Sequence, residues 1–401
     1  MNGKSMIVAV VIVSLGFTLI SSCRKAENKW TGTVSSEGDV RVVNNPAAPL
    51  FGKLELEVEP DLSIGNEEES NFQFFRANDL SLDSTGNIYV LDAGNSRVQK
   101  FSPTGGYLQT IGKAGQGPGE LNSPVALAID GQNNLFVAEA QKMHVFDESG
   151  NFMRSYSLEH RLSGFFVNED GGIVATGAKR VEEGTRQVVV LMDGEGHITK
   201  TIQEFSDVKI VTKKGEGAVT SFKAYHQYSN ALSRASSEDG GILYGYPTEY
   251  KIYKAARDGS PILFFTRNIQ PEMISSAEKD RIIETMKDGF SQRGYNLPRD
   301  VLEQTCQFPP HKPFFRSLQC DDEGRIYVAL TGSVLEQDAP VSIDIFSRDG
   351  FYLYSTSLSF NPEIIRAGYA YDILTSQETG DVRINRYRIK NWEQIRKESG
   401  I

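Results

Sequence analysis

The sequence predicts an all-β protein, a six-bladed β-propeller whose blades are four-stranded sheets. Three observations favour this fold class: a repeated unit of two hairpins, intervals of about 40 residues or more between its copies, and strand-like segments at both ends of the chain. The clearest copy spans residues 80–112. In it, a turn with Asp83 and Gly86 precedes the apolar run 88–90, and a second turn contains Gly105 and Gly106.

Five copies of the apolar run predict the first five blades. Each run follows a turn rich in Asp, Gly and Asn, which suit tight hairpins because Gly and Asn tolerate positive φ and Asp hydrogen-bonds its own backbone. The runs occupy residues 88–90, 135–137, 173–175, 242–244 and 326–328. The second hairpin recurs as well, so every copy provides the four strands of one blade.

The sixth blade has to be assembled from both ends of the chain. Residues 367–373 and 382–389 alternate like strands, but no further strand follows them. The segment 53–59, KLELEVE, alternates strictly and precedes the first copy. We therefore expect this N-terminal strand to join the C-terminal blade and close the ring, which leaves no open sheet edge. The propeller is expected to span residues 46–392 as a monomeric domain, followed by a C-terminal tail at 393–401.

A helical insertion is predicted between blades 4 and 5, at about residues 268–315. The segment is too long for an ordinary connection, and Ser275 with Glu278 fits a capping box. Four apolar side chains share one face of this first helix: Ile282, Ile283, Met286 and Phe290. Pro298 could open a second short helix. The insertion overhangs the face that carries the loops between second and third strands, either as a lid or as packing over blade edges.

The N-terminal residues are typical of a lipoprotein precursor. Lys4 and the apolar stretch 7–20 predict a signal peptide at residues 1–22. Residues 20–23, Ile-Ser-Ser-Cys, resemble the bacterial lipobox, which implies that Cys23 is lipidated and anchors an exported protein. Residues 23–45 are polar and are expected to form a tether. Arg24 is not the aspartate that resembles an inner-membrane retention signal, so we expect the outer membrane, without a prediction of the leaflet.

The repeats also resemble a known family. The segments IYVLDAGNSRVQKF, GKAGQGPGEL and SPVALAID resemble consecutive NHL-type repeats, and the whole pattern resembles the six-bladed β-propeller lipoproteins common in Gram-negative bacteria. The resemblance covers about residues 50–390. Since most members of that family have no assigned activity, it implies the fold and leaves the function open.

Composition and motifs exclude several classes of function. The formal net charge of −10 and the pI near 5.2 argue against nucleic acid, whose phosphates require clustered Lys and Arg. The glycine-rich segment 112–119 lacks the Lys-Ser/Thr ending of a phosphate-binding loop and is predicted to be a turn between blades. The five histidines are scattered, and neither G-x-S-x-G nor H-E-x-x-H occurs. We therefore predict no metal, cofactor or catalytic residue.

Cys306 and Cys320 are the two cysteines that remain beside Cys23. An exported location permits a disulfide between them, which would attach the insertion to blade 5. The alternative is that Cys320, in a first-strand position, is a small buried apolar side chain.

Candidate ligand-binding residues lie in the predicted loops and strand starts of one face. Arginines and aromatic side chains around a central funnel would suit a carbohydrate, a peptide or an anionic ligand. We expect Arg97 to brace its loop more readily than to touch a ligand. The candidates are Arg76, Asn78, Asp92, Arg97, Glu139, Arg180, Tyr225, His226, Tyr246 and Arg316.

Three functions remain open at this point. The first is a membrane-anchored, non-catalytic recognition module that binds a glycan, peptide or protein partner at the propeller face. The second is an enzyme, either a metal-dependent lactonase or a lyase-type propeller, which would need a cluster of carboxylates or histidines at the channel mouth. The third is a scaffold subunit of an outer-membrane complex.

Overall fold

The computed structural model describes residues 30–65, 69–168, 171–182, 184–206, 213–215, 218–220, 226–292, 294–306, 308–336, 338–376, 379–398 and 400. The predicted signal peptide at residues 1–22, the lipidation site Cys23 and the candidate ligand residue Tyr225 lie outside these ranges. Six antiparallel blades form a ring, so the predicted six-bladed fold is confirmed.

Three strands precede the first complete blade: β1 (Thr33–Glu37), β2 (Val40–Asn45) and β3 (Val58–Ile64). Blade 1 contains β4 (Ala77–Leu82), β5 (Ile88–Asp92), β6 (Arg97–Phe101) and β7 (Tyr107–Ile111). Blade 2 contains β8 (Ala126–Ile129), β9 (Leu135–Ala138), β10 (Lys142–Phe146) and β11 (Phe152–Ser157). Blade 3 contains β12 (Arg161–Val167), β13 (Ile173–Val181), β14 (Gly184–Met192) and β15 (Ile198–Ser206).

A separate hairpin, β16 (Lys213–Gly215) and β17 (Ala218–Thr220), follows blade 3. Blade 4 contains β18 (Ser233–Ser236), β19 (Ile242–Gly245), β20 (Lys251–Ala255) and β21 (Pro261–Arg267). Blade 5 contains β22 (Phe315–Cys320), β23 (Ile326–Leu330), β24 (Val341–Phe346) and β25 (Tyr352–Leu358). Blade 6 contains β26 (Ile364–Arg366), β27 (Tyr369–Thr375) and β28 (Val382–Ile389), with β3 as its outer strand.

The expected helical insertion connects blades 4 and 5 through α1 (Ser276–Gln292) and α2 (Arg299–Thr305). The capping box is present: the Ser275 amide donates to Glu278 Oε2 at 3.0 Å, and the Glu278 amide donates to Ser275 Oγ at 3.2 Å. We call the propeller side that carries this insertion and the other connections between blades the insertion face. The opposite side, which carries the turns between the first and second strands and between the third and fourth strands of the blades, is the turn face.

The aspartate that opens the first turn of blades 1, 2 and 5 is a structural residue. In blade 1, Asp83 Oδ1 accepts the amides of Thr85 and Asn87 at 3.0 and 2.9 Å. In blade 5, Asp321 is buried and also accepts the Tyr327 hydroxyl at 2.9 Å. Each carboxylate therefore satisfies the orphan amides of its own turn, which explains the local repeat.

A glycine in each second turn lets neighbouring blades approach closely. Gly350, with φ of +81°, ends the turn between β24 and β25. A Cβ added there would lie 2.8 Å from the Phe265 ring of blade 4. Only glycine combines this left-handed backbone with the missing side chain.

Ring closure by an N-terminal strand is confirmed, but the predicted bounds 53–59 are wrong. The strand is β3, which pairs antiparallel with β28, with Val58 opposite Ile389 and Ile64 opposite Ile384. Residues before it follow blade 5 instead, where the Leu54 amide donates to the Ser355 carbonyl at 2.8 Å. Pro60 is tolerated within β3 because an outer strand does not need every amide for pairing.

The expected tether at 23–45 is wrong from Thr33 onward. Residues 33–45 form the β1–β2 hairpin, and β2 pairs parallel with β21, the outer strand of blade 4. Val42 and Val43 are buried there, which provides the apolar contact that fixes the hairpin. Residues 33–64 thus pass along blades 4, 5 and 6, and we call this segment the N-terminal belt.

The expected tail at 393–401 is also wrong in its first residues. A 3₁₀ helix, Trp392–Gln394, packs the chain against blade 5. The buried Arg325 guanidinium lies 3.8 Å from the centre of the Trp392 ring and donates to the Ile395 carbonyl at 2.8 Å. A buried arginine needs such partners, so the packed structure continues through Ile395.

Candidate functional site

The innermost strands of the six blades line a central channel with a cavity of about 420 Å³. Four charged side chains project from this lining, and we call them the channel cluster: Asp79, Arg234, Arg316 and Glu363. Arg234 and Arg316 are the second residues of β18 and β22, and Glu363 directly precedes β26. Because these strands start at the insertion face, the cluster lies toward that mouth of the channel.

The part of the cavity wall that comes from blades 2 and 3 is apolar. Blades 2 and 3 contribute Leu127, Ala128, Ile129, Phe165, Phe166 and Val167. The channel is therefore two-sided, with charges from blades 4, 5, 6 and 1 opposite an apolar wall from blades 2 and 3.

Blade 3 also makes room for one of the cluster's cations. The Arg234 guanidinium occupies the space where Gly164 of β12 would carry a Cβ. It also lies 5.8 Å from the centre of the Phe166 ring. Gly164 is therefore required for the position of Arg234.

Burial shifts the pKa of every member of the channel cluster toward its neutral form. It raises the pKa of Asp79 to about 6, against the opposing effect of the Leu127 amide, which donates to Asp79 Oδ2 at 2.9 Å. Burial and the nearby Asp79 raise the pKa of Glu363 to about 7. Burial also lowers the pKa of Arg234 and Arg316, although the neighbouring carboxylates oppose the shift. Solvent in the channel still reaches the side chain of Glu363.

The cluster is not internally paired. Within the described part of the chain, none of its four side chains forms an ion pair within 4.0 Å. The Arg234 Nε is buried and has no hydrogen-bond partner among the described residues. Buried donors normally find partners in the protein, so Arg234 Nε is available to a ligand, and the solvent-exposed side chains of Arg316 and Glu363 face the same cavity.

Most candidate residues from the sequence have structural roles instead. Asp92 is buried and accepts the amides of Phe75 and Arg76 at 3.1 and 3.2 Å. Arg97 donates to Asp92 at 3.1 Å and to the Gln73 carbonyl at 2.7 Å, so it braces its loop.

Glu139 has the corresponding role in blade 2. It accepts the Asn122 amide at 2.6 Å and lies 3.0 Å from Nε2 of His144. Burial lowers the pKa of His144. Glu139 and His144 therefore anchor the loop that contains Asn122 to blade 2.

The other candidates are dispersed. The His226 ring lies 4.6 Å from the Phe308 ring of the insertion, and Tyr246 is buried and stacks on Phe205 at 5.2 Å. Arg180 and Asn78 are exposed and do not line the cavity. Of the nine candidates that the structure describes, only Arg316 lines the channel.

Sequence reasoning missed Asp79, Arg234 and Glu363. A β-bulge between Ala77 and Asp79 shifts the register of β4, so Asp79 and not Asn78 faces the channel. A charged residue within an innermost strand is the signal that could have identified Asp79 and Arg234. Glu363 precedes a short strand outside the repeat pattern, so it carried no such signal.

The possible disulfide is not formed, because Cys306 and Cys320 are free. The Cys306 Sγ lies 3.2 Å from Met286 Sδ within the insertion. Cys320 ends β22 at the turn face, roughly 17 Å along the strand from its insertion-face start. The two thiols therefore belong to opposite faces and cannot meet.

Glu278 fastens the insertion to its surroundings. Its buried carboxylate accepts the Tyr228 hydroxyl at 2.7 Å and the Ser333 hydroxyl at 2.8 Å, and it pairs with Lys312 at 2.9 Å. Burial alone would raise the pKa of Glu278, but the hydrogen bonds from Tyr228 and Lys312 hold it well below its ordinary value. The insertion is thus fixed at the start of α1, and its role as a lid stays a prediction.

A second cavity, of about 430 Å³, lies between blades 4 and 5 at the turn face, but most of its charged side chains are already paired with each other. There Lys254 contacts Asp239 at 3.0 Å and Arg41 contacts Asp349 at 3.7 Å. Over the described ranges, no three His, Cys, Asp or Glu side chains could jointly hold a metal ion. Neither helix of the described chain has the length and hydropathy that a membrane span needs. Because most charges of the turn-face cavity are paired and those of the channel are not paired within the described residues, the channel is the stronger candidate site.

These observations define the class of the protein: it is a six-bladed β-propeller with a charged central channel and a helical insertion on one face. Residues 78–258 match the model of the family DUF5128, which is described as a 6-bladed beta-propeller. No curated protein matches the chain.

Two solved structures from Bacteroides are similar to this chain over most of their length. One is a protein of Bacteroides fragilis NCTC 9343 that is inferred to be exported; it is 13% identical, with a TM-score of 0.52 over 86% of this chain and 100% of its own. The other is a member of the duf4221 family from Bacteroides vulgatus ATCC 8482, 10% identical, with a TM-score of 0.52 over 84% of this chain and 99% of its own. At identities this low, the likeness shows the fold alone.

Proposed function

We propose that this protein is a non-catalytic recognition module that binds its ligand in the central channel, through the insertion-face mouth. The glycan, peptide or protein partner expected from the sequence would place a small polar group, or the end of a longer chain, inside the cavity. The module would be exported and held at a membrane by lipidated Cys23, and the name of the Bacteroides fragilis relative supports export.

The observation that carries this proposal is the unpaired channel cluster. Leaving a buried donor such as Arg234 Nε without a partner costs roughly 1–3 kcal/mol, so a protein that needs only stability would place an apolar side chain there. Arg234 and Arg316 instead face a cavity without ion-pair partners in the described structure. A ligand that supplies partners for these groups would explain why the protein retains them despite the loss of stability.

A ligand screen with matched variants tests the proposal. Purified protein would be screened by thermal shift against oligosaccharides, peptides and small acids, as wild type and as Arg316→Met. Arg180→Met is the control, because Arg180 is an exposed candidate on the same face that lies outside the channel. We expect that ligands which bind the wild type and Arg180→Met will not bind Arg316→Met. Ligands that depend on Arg180 and not on Arg316 would contradict a channel site.

One observation favours an enzyme as the second candidate. Asp79 and Glu363 share one cavity and have carboxyl pKa values near 6 and 7, which are suited to proton transfer at neutral pH. This arrangement would fit a lyase-type propeller. Mass spectrometry of each bound ligand after incubation distinguishes the two candidates: an intact ligand supports recognition, and a product that disappears with Glu363→Gln supports the enzyme.

A further inference from the structure

The signs of the channel cluster follow an order around the ring. The two cations come from adjacent blades, Arg234 from blade 4 and Arg316 from blade 5. The two carboxylates come next, Glu363 from the start of blade 6 and Asp79 from blade 1. By strand of origin, the two cations are neighbours and the two carboxylates are neighbours, and the Arg234 guanidinium extends toward Gly164 and Phe166 of blade 3. Blades 2 and 3 complete the circle with apolar side chains.

We infer that the ligand is a small zwitterion with an apolar side chain, either a free amino acid or a short peptide. Its carboxylate would bind between Arg234 and Arg316, its ammonium between Glu363 and Asp79, and its side chain against Leu127 and Phe166. The inference rests on the proposed channel site and specifies what that site recognises.

Charge balance favours a zwitterion over an acidic sugar. An anion alone would satisfy the two arginines but would leave both carboxylates without a cation and would add a third negative charge. Burial is the main cause of the raised pKa values of Asp79 and Glu363, and a ligand ammonium beside them would favour their charged forms. A zwitterion offers an opposite charge to both the arginines and the carboxylates and adds no net charge to the cluster.

The size and shape of the cavity agree with such a ligand. Small-molecule sites typically enclose roughly 300–1,000 Å³, and this cavity of about 420 Å³ lies near the lower end of that range. A neutral glycan would leave all four charges unpaired. The apolar wall from blades 2 and 3 gives an aliphatic side chain a matching surface.

Calorimetry with one dipeptide and its blocked forms tests the inference. Wild-type protein would be titrated with leucyl-leucine, its N-acetyl form, its C-terminal amide and glucuronate. We expect the free dipeptide to bind and each block to weaken binding at least about tenfold, because each removes one charge-assisted contact. Glu363→Gln should weaken the free dipeptide and leave the acetylated form almost unchanged, since only the free ammonium meets Glu363. Arg180→Met is the matched control, and circular dichroism verifies that every variant is folded.

Proton release on ligand binding is a second test, because a purely structural role of Glu363 would not produce it. Ammonium binding should lower the pKa of Glu363, whose surroundings are Asp79, Arg234, Asp372 and Arg316. The free dipeptide should therefore release protons at pH 7, seen as a dependence of the binding heat on the buffer, and Glu363→Gln should reduce the release.

The outcomes separate this inference from the proposed function. Equal binding of free and N-acetyl dipeptide, or glucuronate binding that is lost in Arg316→Met, would overturn the zwitterion and retain the channel site. Failure of dipeptides and glucuronate alike to bind overturns the zwitterion. If, in addition, every ligand of the broader screen binds Arg316→Met as it binds the wild type, the channel site is overturned too.

Discussion

The Tyr228 hydroxyl donates a 2.7 Å hydrogen bond to Glu278, and this contact joins the helical insertion to the connection that leads into the channel. Tyr228 is buried and lies three residues before Ala231, the first cavity-lining residue of that connection. The position of Arg234 thus depends on a segment that the insertion holds in place.

The first prediction concerns Glu278→Gln. The amide keeps the shape of the side chain but removes the charge that pairs with Lys312 and accepts two hydroxyls. We expect the free energy of unfolding to fall by about 2 kcal/mol, measured by urea denaturation at pH 7. Asp288→Asn, an exposed carboxylate of the same helix that forms no ion pair with the described residues, is the control and should change it by less than about 0.5 kcal/mol. Equal effects would contradict the role of Glu278.

The same residue predicts a dependence on pH. Because the pKa of Glu278 is lower in the folded state than in the unfolded state, its stabilisation is complete above the unfolded pKa and is lost as pH falls. The stability difference between wild type and Glu278→Gln should therefore shrink between about pH 5 and pH 3. A difference that stays constant across this range would disprove the assigned shift.

The third prediction tests the N-terminal belt. Asn45 is buried, donates to the Gly350 carbonyl at 2.7 Å and accepts the Tyr352 amide at 2.8 Å. Asn45→Ala leaves both backbone groups unsatisfied and should lower the free energy of unfolding by about 2 kcal/mol. Asn44→Ala, one residue earlier and exposed, is the matched control. A similar loss in both variants, measured by chemical denaturation, would argue that the belt is held by other contacts.

The belt also shows where sequence reasoning stops. The blades could be predicted because the Asp-rich turns and apolar runs are local features, each contained in a few residues. The pairing of β2 with β21 joins residues more than two hundred positions apart, as the bond from Asn45 to Thr266 illustrates. The polar composition of residues 23–45 gave no sign of it, because Val42 and Val43 are the only buried apolar side chains among the described residues of this range.

The channel could be predicted only in part for a related reason. The sequence placed Arg316 at the start of an innermost strand, and the structure confirms that it lines the cavity. It named Asn78 where the structure has Asp79, since a single bulge moves the neighbour into the channel. Bulges depend on tertiary contacts, so the composition of β4 did not reveal this one.

The fourth prediction separates two effects at Gly350. Gly350→Ala introduces a Cβ at a positive φ and also into the Phe265 ring, so we expect a loss of about 3 kcal/mol. Gly380 has a similar φ of +78° but open space around its Cβ position, and Gly380→Ala should cost about 1 kcal/mol. Urea denaturation of both variants measures the difference. Equal losses would show that the approach of blade 5 to blade 4 needs no missing side chain.

The fifth prediction concerns the expected lipid anchor. Cells grown with labelled palmitate should incorporate the label into the wild-type protein, and Cys23→Ser should lose it completely, because the lipid is attached through that thiol. Cys320→Ser, a free cysteine at the turn face, is the control and should keep the label. Label that persists in Cys23→Ser would refute the anchor.

The channel cluster is the centre of the proposed function, and one comparison tests it most directly. The melting temperatures of wild type, Arg180→Met and Arg234→Met/Arg316→Met would be measured with and without each ligand found in the screen. The account predicts that these ligands raise the melting temperature of wild type and Arg180→Met and leave the double variant unchanged, because only the double variant lacks the two channel cations. A ligand that stabilises the double variant as much as the wild type would contradict binding in the channel.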